Sequence, residues 1–421
     1  MKRLLIILLL PAQLLFGQTN TLTLDDCYRL ARENYPKLTD IEKQQQISAL
    51  RISNIGSAWN PQLNLNAQAT YQSDVTRIAL PMPGIEIPAL PKDQYKAYLD
   101  VRQNIYDGGI SRSSRELEKA SLEADIQNIE VEISVLNDRI NQLFFGTLSL
   151  DESKKILALK EQTLGERLKV LESGYRNGMV TLRDVELIRA EILLTRQQLA
   201  EVEAEKISAA GSLRILTGAK IGPETILAEP IAAVTTRSVN RPELKLFDLL
   251  GNKIETNSSL LQTMRNPKLF AFGQAGYGRP GLNMLATEFD SYYLVGVGLS
   301  WNIFDWNQTS RNRQMLNLQK EMVTSSRNLF NQNLEISLFR AHESIKKAEN
   351  LLQSDKQLLE MRGKIAQQSA SQLENGTITS ADYIVDLNAE TQAKINQQSH
   401  KIALLQAIAN YNTLTGNQIL P

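Results

Sequence analysis

The 421-residue sequence predicts a mainly α-helical protein built as a tandem duplication, each copy holding a helix, a β-hairpin and a very long helical hairpin. Three observations predict it. Motifs recur at two constant spacings: Pro36 and Pro242, and Asn60-Pro61 and Asn266-Pro267, lie 206 apart, whereas NIYD (104–107) and NIFD (302–305), Asn177-Gly178 and Asn375-Gly376, and LTG (216–218) and LTG (414–416) lie 198 apart. Proline-free stretches of helical period run far beyond ordinary helix length. Between them the apolar period drops to two. The two spacings place a single length difference, eight residues, between Pro61 and Asp107, where a hairpin tip tolerates it.

The elements follow in order. Lys2, Arg3 and the short apolar run LLIILLLPAQLLF, with Gly17 before Gln18, read as a signal peptide over 1–17. Repeat 1 is expected over 18–220, a linker over 221–240 and repeat 2 over 241–421. In repeat 1 the first helical stretch is broken by Pro36 and ends before Asn60-Pro61. A hairpin over about 61–106 follows. Its first strand alternates Leu63, Leu65, Ala67, Ala69 and Tyr71 against Asn64, Asn66, Gln68 and Thr70; a proline-rich connection (81–91) leads to Tyr95, Ala97, Leu99 and Val101 against Lys96, Asp100 and Arg102. Repeat 2 carries the matching hairpin over about 267–304, with Val295, Val297, Leu299 and Trp301 on one face and Gly296, Gly298, Ser300 and Asn302 on the other.

After Asp107 and Asp305 the helical period returns. From Asp107 to Arg176 no proline intervenes, a reach of roughly 100 Å at 1.5 Å per residue. On the return helix Ile188, Ile192, Thr195, Leu199, Val202, Lys206, Ala209, Leu213 and Leu216 step by four and three, a coiled-coil seam with one lysine in it. The helical tips fall at about 176–184 and 374–382. In each, Asn-Gly ends the incoming helix and Thr-x-x-Asp starts the next, from Thr181 to Asp184 and from Thr379 to Asp382.

Composition sets limits. Aromatic residues are 6% and net charge is zero, which suits elongated solvated helices and offers no basic field for nucleic acid. Cys27, the single cysteine, is expected to be an inert half-buried thiol, neither disulfide-bonded nor lipidated. His342 and His400 are the only histidines; no phosphate loop, nucleophile elbow or cysteine cluster is present, and GQAGYG and VGVG sit in strands without a following Rossmann helix. No enzyme activity, cofactor or metal is expected.

No later stretch is long and apolar enough for a membrane helix. Four amphipathic strands cannot close a barrel, and an open edge in lipid leaves backbone groups unsatisfied. Cyclic association solves this: two chains supply eight strands, three supply twelve with a watery lumen. A soluble secreted layer whose polar face meets solvent has the same alternation. Tyr95, Tyr98, Tyr106, Phe270, Phe272, Tyr292, Tyr293, Trp301, Phe304 and Trp306 are either interface girdle or plain β formers.

The signal peptide, the doubled helix–hairpin–helical-hairpin order, YDGG (106–109) after the second strand and Gly-x₅-Asp-Val at the tip (178–185) together resemble the TolC-like outer-membrane efflux family over the whole mature chain. The resemblance implies a homotrimer whose twelve-stranded barrel sits in outer-membrane lipid of a Gram-negative-type envelope and whose coiled-coil-like α-barrel enters the periplasm. It implies a periplasmic adaptor (membrane fusion protein) and an inner-membrane transporter as partners. It also implies site residues. Asp382 matches the aspartate that rings the periplasmic constriction, with Val385 where a second acid is common and Asp386 one place later. Asp184 matches the first-copy aspartate of a tip latch, although Leu373 and Ile378 hold the positions of its polar partners. The tips, Asn177, Gly178, Met179, Val180 and Thr181 with Asn375, Gly376, Thr377, Ile378 and Thr379, become adaptor contacts. Local chemistry alone would make both aspartates helix starters. The expected function is a passive exit duct of a tripartite efflux system; the alternatives are the duct of a type I protein-secretion system and a secreted coiled-coil structural or adhesive protein.

Overall fold

The structure, a computed structural model, describes residues 21–76, 91–222, 225–231, 233–234, 238–284 and 286–417. The signal segment 1–17 and residues 77–90, which include most of the proline-rich connection (81–91), lie outside the described residues. Among those described, the order is β1 (Thr21–Leu22), α1 (Leu24–Asn34), α2 (Leu38–Ser57), β2 (Gln62–Tyr71), β3 (Asp93–Tyr106), α3 (Ile110–Arg176), α4 (Leu182–Thr217), β4 (Ile226–Leu227), α5 (Pro242–Thr263), β5 (Lys268–Arg279), β6 (Asp290–Ser300), α6 (Gln308–Glu374) and α7 (Ser380–Thr415). The paired long helices match in length: α3 and α6 have 67 residues each, α4 and α7 36 each.

The chain divides into two compact units. One comprises Met1–Leu38, Glu130–Pro242 and Asn331–Pro421. Its main core packs Cys27, Tyr28 and Ala31 of α1 with Ile140, Phe144 and Phe145 of α3, Leu213 of α4 and Ile402 and Ala409 of α7. Asn141 is fully buried there and satisfied: it accepts from the Tyr28 hydroxyl and donates to Asn410 (2.9 Å) and Thr413 (3.1 Å). Cys27 is fully rather than half buried, and burial pushes its thiol up to about 12, so it is inert. Lys206, the lapse in the α4 seam, bonds Asp151 at 2.6 Å. Deeper still, Lys160 of α3 and Glu191 of α4 form a 2.6 Å ion pair with side chains only 5% and 10% exposed.

The short strands β1 and β4 pair in parallel within the first unit; the other unit, Thr39–Ile129 with Glu243–Phe330, holds β2, β3, β5 and β6. They form one antiparallel sheet in the order β2-β3-β5-β6, leaving one edge each of β2 and β6 unpaired among the described residues. Leu63 pairs with Val101, Leu99 with Ala275 and Ala271 with Val297, so one face of the sheet is apolar across all four strands. Its large side chains, among them Leu65, Tyr293, Val295 and Leu299, are exposed. The opposite face carries Asn64, Asp100 and Gln274, the last donating to Asp100 at 2.9 Å.

The register divides the strand aromatics between the two faces of the sheet. Tyr95 and Tyr293 lie on the apolar face, whereas Tyr98, Phe270, Phe272 and Tyr292 lie on the polar face. The reason is steric. Phe270 and Phe272 lie over Gly298 and Gly296, whose added Cβ atoms would sit 2.5 and 2.6 Å from the rings. In the first hairpin the counterpart pairs are Asn64 with Asp100 and Asn66 with Tyr98: the large residue has changed strands.

Candidate functional site at the helical tips

Both tips are built by the same local chemistry. At the first, Gly178 takes φ +74°, and the Met179 N–H reaches back to the Gly174 carbonyl at 2.8 Å. At the second, Gly376 takes φ +67°, and the Thr377 N–H reaches the Gln372 carbonyl at 2.9 Å. This six-residue closure satisfies orphan carbonyls at the helix end and requires a residue tolerant of the left-handed region. A reciprocal capping box then starts each return helix. Thr181 accepts from the Asp184 N–H (3.3 Å) and gives its hydroxyl to the carboxylate (2.5 Å); Thr379 and Asp382 repeat this at 3.3 and 2.6 Å.

The two aspartates then part. Asp184 turns its second oxygen, Oδ1, to the backbone N–H of Ser380 (3.2 Å), the first residue of α7. One carboxylate therefore serves two helix N-termini. Asp382 uses only Oδ2, and its Oδ1 takes no hydrogen bond among the described residues. Burial pushes the Asp184 carboxyl up, but the bonds from Thr181 and Ser380 outweigh it and hold it below the usual carboxylate range. The Thr379 hydroxyl and N–H hold the exposed Asp382 carboxyl low as well.

A second tie joins the hairpins. Arg167 of α3 donates to Glu374 at the end of α6 (2.6 Å), and its guanidinium lies 5.4 Å from the ring centroid of Tyr383 on α7. Tyr383 is buried with Leu164, Leu171, Val185, Ile188, Leu373 and Leu387. Leu373 and Ile378, where the resemblance expects polar partners, belong instead to an apolar plug, and the group that Asp184 meets across the hairpins is a backbone N–H that needs no particular side chain. Arg167, Glu374, Ser380 and Tyr383 were not singled out from sequence. The orphan N–H of Ser380, one place after an N-cap threonine, was the available signal.

Val385 is exposed one helical turn beyond Asp382, on the same side of α7. Asp386 is half-buried and accepts from Ser369 of α6, so it is drawn into the helix seam, off that exposed face. Asn177, Gly178, Met179, Asn375, Gly376 and Thr377 are exposed, while Val180 and Ile378 pack under them against the plug. Thr181 and Thr379 are exposed caps. A cavity of about 610 Å³ opens between the two tips, lined by Arg167, Val170, Gly174, Met179, Leu373 and Asn375 among others. Among the described residues no cluster of His, Cys, Asp and Glu could hold a metal, and no helix is long and apolar enough to cross a membrane.

Two matching helical hairpins and a four-stranded sheet are elements of the fold of known outer-membrane channels. The structure is similar to the CmeC outer membrane channel of Campylobacter jejuni (TM-score 0.67, 15% identity, 94% of this chain and 85% of that one). It is similar to the outer membrane protein VceC of Vibrio cholerae (0.66, 14%, 93% and 96%) and to the MtrE outer membrane channel of Neisseria gonorrhoeae (0.65, 15%, 94% and 89%). Residues 27–219, which fall within the expected first repeat (18–220), match the model of the family described as outer membrane efflux protein. The resemblance read from the sequence is therefore met in both sequence model and fold, and the proteins it points to are outer-membrane channels, not enzymes. A sequence comparison with curated proteins gave no significant match.

Proposed function

We propose that the chain is the outer-membrane exit duct of a tripartite efflux system, working as a homotrimer. The sheet carries this reading. A face apolar across four strands, exposed in a single chain and ending in two unpaired edges, has no stable place in water or in lipid until other copies close it. Three chains give twelve strands, wide enough for a water-filled lumen lined by the polar face. The helical hairpins then form the periplasmic part, and transport energy comes from the inner-membrane transporter.

The exposed tip residues of both repeats, from Asn177 to Thr181 and from Asn375 to Thr379, meet the periplasmic adaptor. In the trimer Asp382 becomes a ring of three carboxylates with an apolar collar of Val385 beside it, and Asp184 holds the ring shut through Ser380. Asp382 suits this role because half of its carboxylate is uncommitted.

Purified in detergent, the protein should run as a trimer and conduct ions across a planar bilayer; a water-soluble monomer without conductance overturns the proposal. Asp382→Ala should raise leak conductance or weaken block by cations, and unchanged conductance and block remove Asp382 from the gate.

A further inference from the structure

We propose that the polar face of the sheet carries a binding strip for aromatic oxyanions, carboxylates or sulfonates on a flat ring system, with Arg102 as the group that takes the charge. This rests on the duct reading, which turns that face to the lumen, and it names a class of cargo that the lumen favours.

A sheet face that meets water is expected to be polar along every strand. The first strand, β2, obeys: it offers Asn64, Asn66, Gln68 and Thr70. The other three do not. Phe270 and Phe272 follow each other on β5, their ring centroids 6.2 Å apart. Farther along the same face Tyr98 and Tyr292 close over Gly276, where an added Cβ would lie 2.6 Å from the Tyr98 Cβ and 2.8 Å from the Tyr292 ring. From Phe270 to Gly276 the rings cover roughly 20 Å of strand at 3.3 Å per residue. Each of them is half-buried, so part of its surface stays open. The strip occurs once per chain, because the first-hairpin counterparts of Phe270 and Phe272 are Asn64 and Asn66.

The glycine floors explain how the rings fit. They do not explain Arg102. Its guanidinium lies 3.8 Å from the Phe270 ring centroid, well within the roughly 6 Å reach of a cation–π contact. Directly across the ladder from it stands Phe272. The nearest acid on the strand, Asp100, lies two residues away on the same face, yet Asp100 takes its hydrogen bond from Gln274 at 2.9 Å. The exposed guanidinium donates no hydrogen bond among the described residues. A cation is thus held against the rings with its donors unspent.

The missing partner is defined by what these groups lack. A guanidinium fork matches the two oxygens of a carboxylate or sulfonate, and the open rings match a flat ring laid in offset contact. An aromatic cation would find the rings but meet Arg102 as a like charge. A saturated acid would find the charge but gain little from the rings. The strand charges on this face, Lys96, Arg102 and Lys268 against Asp100 and Asp290, leave it net positive and favour the anion.

Current block in a planar bilayer tests the strip. Naphthoate added on the barrel side should interrupt the current, and both decahydronaphthoate, its saturated analogue of equal charge, and naphthylmethylammonium should block several-fold more weakly. Arg102→Gln should weaken naphthoate block about tenfold, as expected for one lost charge-assisted pair. Lys96→Gln removes the same charge from the same face, roughly 20 Å away along β3 and beyond the screening length, and should change the block little. Phe270→Leu with Phe272→Leu should weaken it several-fold. A channel that conducts but is blocked equally by naphthoate and decahydronaphthoate, or in which Arg102→Gln and Lys96→Gln behave alike, overturns this inference alone. A water-soluble monomer without conductance overturns the duct reading and this inference with it.

Discussion

The two repeats share their turns and differ in what they ask of their charges. Lys160 and Glu191 form a nearly dry ion pair between α3 and α4, while the counterpart positions in α6 and α7 are Leu358 and Ala389. Asp184 bridges two helices, while Asp382 caps one. Gly108 tucks under Asn266, while Trp306 is exposed. Duplication has kept the chemistry that depends only on neighbours along the chain. It has not kept the chemistry that depends on what lies across from it, because the two copies face different surroundings.

The buried ion pair offers the sharpest way to break that comparison. Lys160→Met leaves a buried carboxylate unpaired and should destabilise by about 3–5 kcal/mol in denaturant unfolding. Lys160→Leu with Glu191→Ala, which writes the second repeat into the first, should recover most of the loss, since well-packed apolar pairs replace buried ion pairs at little cost. If the double variant is as damaged as the single one, the pair is not what distinguishes the hairpins.

Next in size is the exchange of large residues in the sheet. Gly298→Val must displace the Phe270 ring, for about 1–3 kcal/mol, read as a lower melting temperature. Asp100→Val, which sets the same side chain at the first-hairpin counterpart, meets Asn64 instead of a ring and should cost less, even with the Gln274 hydrogen bond lost. Equal losses would mean that the rings do not rest on glycine for lack of room. Smaller again is Asp184→Ala, which removes a cap and the acceptor for Ser380 and should weaken the tips by about 1–2 kcal/mol. Hydrogen exchange should speed up at both tips in this variant, but only over 375–383 in Asp382→Ala. Loosening confined to the first tip would refute the bridge to Ser380.

The duplication, the four strands and the two turns were legible because each depends on local pattern: a spacing, a period of two, an Asn-Gly before Thr-x-x-Asp. The facing of the aromatics was not, since Phe270 sits on the polar face only because Gly298 across the ladder makes room. The partner of Asp184 was equally hidden. A backbone N–H bears no letter of its own, and Ser380 comes within 3.2 Å only once two hairpins 196 residues apart are packed together. Asp386 lies roughly 100° round the helix from Val385, so the sequence did not require it to share that face, but its partner Ser369 was hidden. What escapes the sequence here is the identity of the group opposite.

The mildest effect, the response to pH, separates the aspartates further. Both carboxyls lie below their ordinary value of 3.8 in the folded chain, so each favours the closed turn while ionised. Their stabilisation is fully present above that ordinary value and is lost as pH falls through the lower folded values. Exchange at the tips, corrected for its intrinsic pH dependence, should therefore be flat from pH 8 to pH 5 and rise only in strong acid. Asp184→Asn should abolish the acid response at Ser380, because an amide keeps an acceptor there with no charge to lose, while leaving the response at Thr379 intact. A rise between pH 7 and pH 5 would instead assign the tip's stability to some other titrating group, and the carboxylates would then be spectators of the turn that they cap.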